Sequence, residues 1–286
     1  MTGINRDKPV LGENLTGRKN KHKYEGSILK MRTEHASPVN YFLPVGDQEI
    51  EMNALIGHEI HMLFTGQIHC IACGKITKTS FSQGFCYSCL QTAPEASESI
   101  IRPELSKAEF DIARDLDWAR KHDLIDHVVY LAVTSELKVG VTRHHQLPTR
   151  WIDQGASYAI RLAKTPNRHI AGIIEVFLKK YFADRTNWQE MLKTDGKTDI
   201  NLPEEKKKAL ELLPPELQKY SCIDHEIVSI HYPLAEPPQK IKSVIFDKTP
   251  EIEGILKGIK GQYLVFNENR VLNIRKHNGY FLKIQY

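Results

Sequence analysis

Between Gly26 and Thr65 the chain reads as short apolar runs, SILKMRT, NYFLPV, EIEMNAL and EIHMLFTG, separated by Pro and Gly. Runs of that length with turn residues between them predict a small sheet, a β platform. A polar linker, TAPEASESIIRPEL, ends this pattern. Ser106 and Glu109 then form a capping box ahead of AEFDIARDLDWARKHD, which predicts a helix. Two strand-like runs follow, HVVYLAVT and LKVGVT, then the polar turn RHHQLP and the segment TRWIDQGASYAIRLA. Asn167 opens a second helix through RHIAGIIEVFLKKYF, where Ile170, Ile174, Phe177, Leu178 and Tyr181 recur at helical spacing and predict one buried face. Past Pro203, the charged helical pattern EEKKKALELL stops at Pro214-Pro215. GQYLVF, VLNIRK and YFLKIQY then read as a β meander, with Asn278-Gly279 as a two-residue hairpin signal. No internal repeat is evident, and the fold class is α+β.

Composition narrows the class without naming an activity. With 286 residues, 41% hydrophobic and 26% charged, the chain is an ordinary globular one, long enough for two or three small domains. It has no apolar run approaching the length that spans a bilayer, and its start has no apolar signal core, so a cytoplasmic, reducing location is expected. The net charge of +4 permits an anionic partner without requiring one. The first segment is more suggestive: GRKNKHKY brings Arg18, Lys19, Lys21 and Lys23 into a polar stretch. Such an arm can neutralise phosphates, and it reads equally as a solvated tail.

Cys70, Cys73, Cys86 and Cys89 stand as C-x2-C-x12-C-x2-C. Two knuckles at that spacing can place four thiolates tetrahedrally around one Zn²⁺, with KITKTSFSQGF as a short hairpin between them, a zinc ribbon. Five cysteines in 286 residues and a reducing compartment argue against disulfides. A closed four-thiolate site has no position for substrate, so the metal is expected to be structural. Cys222 is left over as a small buried hydrophobe. His58 and His61 are three apart in an extended pattern and do not reproduce the helical HExxH arrangement.

Between His127 and Trp188 the chain resembles a GIY-YIG nuclease module. VVY, from Val128 to Tyr130, stands where that family carries its first tripeptide, and KVG, from Lys138 to Gly140, where it carries the second. Arg150 lies ten residues after Gly140, Glu175 inside the following helix, and Asn187 beyond it. The resemblance implies a β-β-α-β-α module in which Tyr130 assists the nucleophile, Arg150 stabilises charge and Glu175 holds one Mg²⁺ or Mn²⁺. Lys138, Arg143 and Asn187 would contact nucleic acid. These are also the residue types that phosphodiester cleavage needs: a group aiding deprotonation of water, a cation for the developing charge, and a carboxylate for a hard metal. The chain departs from the pattern at Val128, at Lys138 and in a spacer of only seven residues between the tripeptides. Over most of its length it also resembles an uncharacterised bacterial family, domain of unknown function 2797.

The expected sections are a basic flexible arm (1–25), an N-terminal β section (26–67), a zinc ribbon and linker (68–105), a GIY-YIG-like α/β module (106–202), and a helix with a C-terminal β meander (203–286). Two functional classes fit: a metal-dependent endonuclease on DNA or RNA, and a noncatalytic nucleic-acid-binding or ribosome-associated adaptor. Nucleic acid is the expected partner in both, with no membrane.

Overall fold

Seven consecutive residues, His127 to Val133, are buried along one strand, and a strand covered on both faces has to lie inside a sheet with apolar layers on either side. The computed structural model, which describes residues 22–194, 196 and 198–286, places it so. Most of the basic arm, through residue 21, lies outside the described residues.

In chain order the elements are β1 (Lys23–Ser27), β2 (Arg32–Glu34), β3 (Asn40–Val45), β4 (Gln48–Glu51), β5 (Glu59–His69), β6 (Ile76–Thr77), α1 (Tyr87–Thr92) and α2 (Leu116–His122). Next come β7 (His127–Val133), β8 (Leu137–Arg143), α3 (Thr149–Asp153), β9 (Tyr158–Thr165), α4 (Arg168–Leu178), α5 (Trp188–Lys193), α6 (Leu202–Leu212) and α7 (Pro215–Gln218). β10 (Ile227–Ser229), β11 (Lys242–Val244), β12 (Glu251–Lys260), β13 (Tyr263–Phe266), β14 (Arg270–Asn273) and β15 (Tyr280–Gln285) follow, so the class is mixed α+β.

β7 lies inside a four-stranded sheet of order β10-β9-β7-β8, antiparallel throughout. One face, with Val129, Leu131 and Val139, packs on Ala171, Ile174 and Leu178 of α4 and on Ala209 of α6. The other face, with Val128, Tyr130 and Ala132, joins Trp151 and Ile152 in the core of a larger sheet. That sheet has eight strands, running β1-β15-β5-β12-β13-β14-β11 with β6 added to β5. The N-terminal β section and the C-terminal meander, distant along the chain, therefore supply neighbouring strands of one sheet. β2, β3 and β4 form a separate three-stranded sheet.

Two local expectations are corrected. The helix expected from the Ser106-Glu109 capping box starts only at Leu116, capped by Asp115, whose carboxylate accepts from the Trp118 N–H at 2.8 Å. Asp111 interrupts the run in the left-handed conformation, φ 57°, and Ser106 is buried, donating to Asp123 at 3.2 Å. Asn278-Gly279 does not close a hairpin between β14 and β15, which are not sheet neighbours. Gly279 instead leads into β15 beside β5: its φ is +83°, its carbonyl accepts the His69 N–H at 2.7 Å, and a Cβ there would stand 2.0 Å from the His69 carbonyl oxygen. The Asn167 cap of α4 stands as expected, accepting from the Ile170 N–H at 2.9 Å.

β7 also carries a pH-sensitive group. His127 is fully buried; Nδ1 meets the Ile125 carbonyl at 2.8 Å, while Nε2 has no partner. Burial pushes its pKa from 6.5 down to about 4. The unfolded chain therefore takes up a proton that the folded chain refuses, and stability falls as the pH drops from 6.5 towards 4. Between pH 7 and pH 5 wild type should lose roughly 2 kcal/mol more than His127→Gln, as urea midpoints would show. Parallel pH profiles for the two proteins would remove His127 as the cause.

Candidate functional site

β5 runs directly into Cys70. The chain reverses there through Gly74, whose N–H donates to the Cys70 carbonyl at 2.8 Å, and β6 returns to pair with His69. The second cysteine pair opens α1, with Cys86 as its cap. The four Sγ atoms lie within 4.8 Å of one another, with Cys73 and Cys86 3.9 Å apart. Thiolates around one zinc stand about 3.8 Å apart, so the set can hold such an ion. Backbone N–H groups point at two of the sulfurs: the Cys86 N–H donates to Cys70 Sγ at 3.2 Å and the Cys89 N–H to Cys86 Sγ at 3.5 Å. Burial opposes ionisation of Cys70, yet N–H groups of Cys86, Cys73 and Ala72 outweigh it and bring its pKa to about 6. Among the described residues this is the one group of three or more His, Cys, Asp or Glu side chains close enough to share a metal.

The second site forms on β7 and β8. Pairing sets Tyr130 opposite Gly140 and Ala132 opposite Lys138, so Tyr130 and Lys138 share a face. Gly140 is required there, because a Cβ would come within 2.6 Å of the Tyr130 hydroxyl. A bulge between Val129 and Tyr130 in the β7–β9 pairing re-aims the tyrosine. Trp151 holds its ring edge-on at 5.9 Å between centroids. The hydroxyl meets the Gln154 amide at 3.1 Å, and that amide, with its oxygen turned the other way, accepts from Arg150 Nε at 3.0 Å and Nη2 at 3.2 Å.

Burial pushes the Tyr130 pKa up; Arg150 opposes the rise and Glu175 adds to it. Glu175, on α4, is raised by burial against the pull of Lys179 and Lys138. Lys179 lies 3.6 Å from both Glu175 and Asp184, its ammonium bridging two carboxylates. Lys138 is buried, donates to Thr186 at 3.4 Å, and is brought to about 8 by burial and by Arg150, against Glu175 and Asp184. Arg150 and Glu175 thus act on both Tyr130 and Lys138.

Arg143 and Asn187 do not join them. Arg143, at the far end of β8, lies over the Trp118 ring at 5.5 Å and donates to the His122 carbonyl at 3.2 Å. Asn187 caps α5, accepting from the Gln189 and Glu190 N–H groups at 3.2 and 3.4 Å. Sequence reasoning passed over Lys179 and Asp184. Lys179 had a signal, standing one helical turn after Glu175; Asp184, beyond the helix, had none.

Residues 57–282 match a family model described as protein of unknown function (DUF2797). No curated protein and no solved structure matches the chain.

Proposed function

The chain belongs to the DUF2797 family, whose description assigns no activity, and from its own side chains we propose a divalent-metal-dependent phosphodiester hydrolase acting on nucleic acid, of the GIY-YIG endonuclease type. One observation carries the reading: Tyr130, Lys138 and Glu175 are buried where Arg150 and Glu175 both act on Tyr130 and Lys138, and the Gln154 amide joins the Tyr130 hydroxyl to the Arg150 guanidinium. Perturbed groups of complementary type in one place are what a hydrolytic site needs.

In this reading Arg150 binds a nonbridging phosphate oxygen and stabilises charge as it develops. Gln154 holds Arg150 and Tyr130 in register through its amide. The Tyr130 hydroxyl, hydrogen-bonded and hard to ionise in its buried setting, relays a proton from the attacking water. Glu175, with Asp184 as the other carboxylate on Lys179, would hold the divalent ion in the place Lys179 now occupies. Magnesium is habitually held by one or two carboxylates plus substrate phosphate and water, and when bound it would supply Lewis-acid activation. The four-cysteine centre is assigned a structural zinc, which fixes the end of β5 and shows Lys75, Ile76, Lys78 and Tyr87 to solvent as a surface for the nucleic-acid backbone.

A second reading, a noncatalytic nucleic-acid-binding adaptor, is favoured by one fact: Tyr130 has no exposed surface. A phosphate reaches its hydroxyl only after Gln154 and Arg150 move. The deciding experiment follows labelled single- and double-stranded DNA and RNA with Mg²⁺ or Mn²⁺. Metal-dependent cutting by wild type, reduced about a hundredfold or more in folded Tyr130→Phe, is expected. Salt-sensitive binding without cutting would give the adaptor, and neither binding nor cutting would end both readings.

A further inference from the structure

α3 has five residues, and Pro148 before it offers no side-chain cap. A helix that short does not hold itself together, so its direction is set by what its ends touch. Asp153, its last residue, has a buried side chain. Gln262 Nε2 donates to one of its carboxylate oxygens at 2.8 Å, and Lys30 Nζ meets the other at 2.6 Å. Just beyond the helix, the Tyr232 hydroxyl donates to the Ala156 carbonyl at 2.7 Å.

Gln262 is buried in the turn between β12 and β13 of the eight-stranded sheet. Its amide is pinned from the far side as well: Oε1 accepts the Met31 N–H at 2.7 Å, and Nε2 donates to the Met31 carbonyl at 3.0 Å. An amide with both of its N–H groups and its oxygen engaged has a single orientation. The backbones meet beside it, where a Cβ on Gly261 would lie 3.2 Å from the Asp153 carbonyl oxygen and 3.3 Å from the Gly155 nitrogen. The β12–β13 turn, the segment before β2 and the end of α3 thus form one joint. Arg150 lies three residues before Asp153 on the same short helix, and Gln154 directly follows it. The Gln154 amide accepts from Arg150 Nε at 3.0 Å and meets the Tyr130 hydroxyl at 3.1 Å. A tilt of α3 at the joint would carry Arg150 and Gln154 with it, and displacements of an ångström decide whether a catalytic group is in place.

We propose that Gln262 is a positioning residue for the Tyr130–Gln154–Arg150 set: through Asp153 it fixes the direction of α3 and so the place of the Arg150 guanidinium. The eight-stranded sheet then belongs to the support of the site, which the β7–α4 module does not build alone. The proposal rests on the hydrolase reading for its catalytic consequence, and on the hydrogen bonds of Gln262 for its geometry.

The test compares full-length wild type, Gln262→Leu, Asp153→Ala and Asp153→Asn by two readouts. Heteronuclear NMR follows the Arg150 Nε–H, identified by its loss in Arg150→Lys. Wild type should give one sharp signal, which Gln262→Leu and Asp153→Ala should shift and broaden. Asp153→Asn keeps an oxygen for Gln262 and should return the signal towards its wild-type place. Cleavage with Mg²⁺ is measured alongside. Gln262→Leu should lower kcat about tenfold to a hundredfold in the wild-type background. In the Arg150→Lys background the same change should cost less than about twofold, because the effects of residues that act through one another do not add. A merely structural glutamine would lower the melting temperature, leave the Arg150 signal where it was and cost equal activity in both backgrounds. An unmoved Arg150 signal, or equal losses in the two backgrounds, would overturn the proposal. The NMR readout needs no turnover, so the two readings fail separately. A displaced Arg150 signal in a protein that never cuts keeps the joint and removes the hydrolase, and metal-dependent cutting with an Arg150 signal indifferent to Gln262→Leu does the reverse.

Discussion

Cys70→Ser is expected to abolish metal binding and to unfold the segment from His69 to Thr92. Cys70 is the buried member of the four, ends β5, and accepts the Cys86 N–H, so it ties both knuckles together. Structural zinc sites bind with roughly 10–16 kcal/mol of free energy that is coupled to folding, and loss of a ligand removes most of it. β6, two residues long and paired only with β5 among the described strands, has little else to keep it in place. The core of the four-stranded sheet does not include the cysteines, and its urea transition should survive. Metal analysis should give one zinc per wild-type chain and little in Cys70→Ser or Cys86→Ser. Full zinc content in both variants would sink the assignment.

Glu175→Gln should reduce metal-dependent cleavage by roughly a hundredfold to a thousandfold, the scale on which single preorganised electrostatic groups act. The same change should leave the fold intact. Burial disfavours the Glu175 carboxylate, which sits in the last turn of α4 beside Lys179, and an isosteric amide escapes that penalty. Lys179 would keep Asp184 as a partner. The informative result is thus a melting temperature at or above wild type with activity gone. Undiminished cutting by Glu175→Gln would remove the metal role from this residue and leave the cluster as packing.

What was legible in the sequence was what local rules govern. The cysteine spacing pointed to one four-sulfur cluster, because two short knuckles allow few other arrangements, and the four Sγ atoms do lie within 4.8 Å of one another. α4 was legible because an Asn cap precedes an apolar stripe of helical period, and both survive in the fold. The strands β7 and β8 could likewise be read from the runs HVVYLAVT and LKVGVT. The capping box at Ser106 misled because Asp123, distant in sequence, offers that hydroxyl a buried partner, and Asn278-Gly279 misled because its glycine serves a close approach to the β5 backbone rather than a tight turn. The hydrogen bond from Gln262 to Asp153 was out of reach altogether, since it joins residues 109 positions apart through a sheet whose strand order no local pattern encodes. Arg143 and Asn187 had the right chemistry and spacing, but Arg143 is engaged by a ring and a carbonyl, and Asn187 by a helix end.

The position of β15 beside β5 has a consequence for how the protein is made. Thr65 on β5 donates to the Phe281 carbonyl on β15 across 216 residues, a delay of roughly ten to forty seconds at ordinary rates of synthesis. For most of that time neither β12 nor β15 exists, and the unpaired backbone of β5 is a template for pairing with other chains. The cysteine knuckles emerge soon after β5, and metal capture there would let β6 close over one end of the waiting strand. Zinc supply would then govern the yield of nascent protein before it governs anything the finished molecule does.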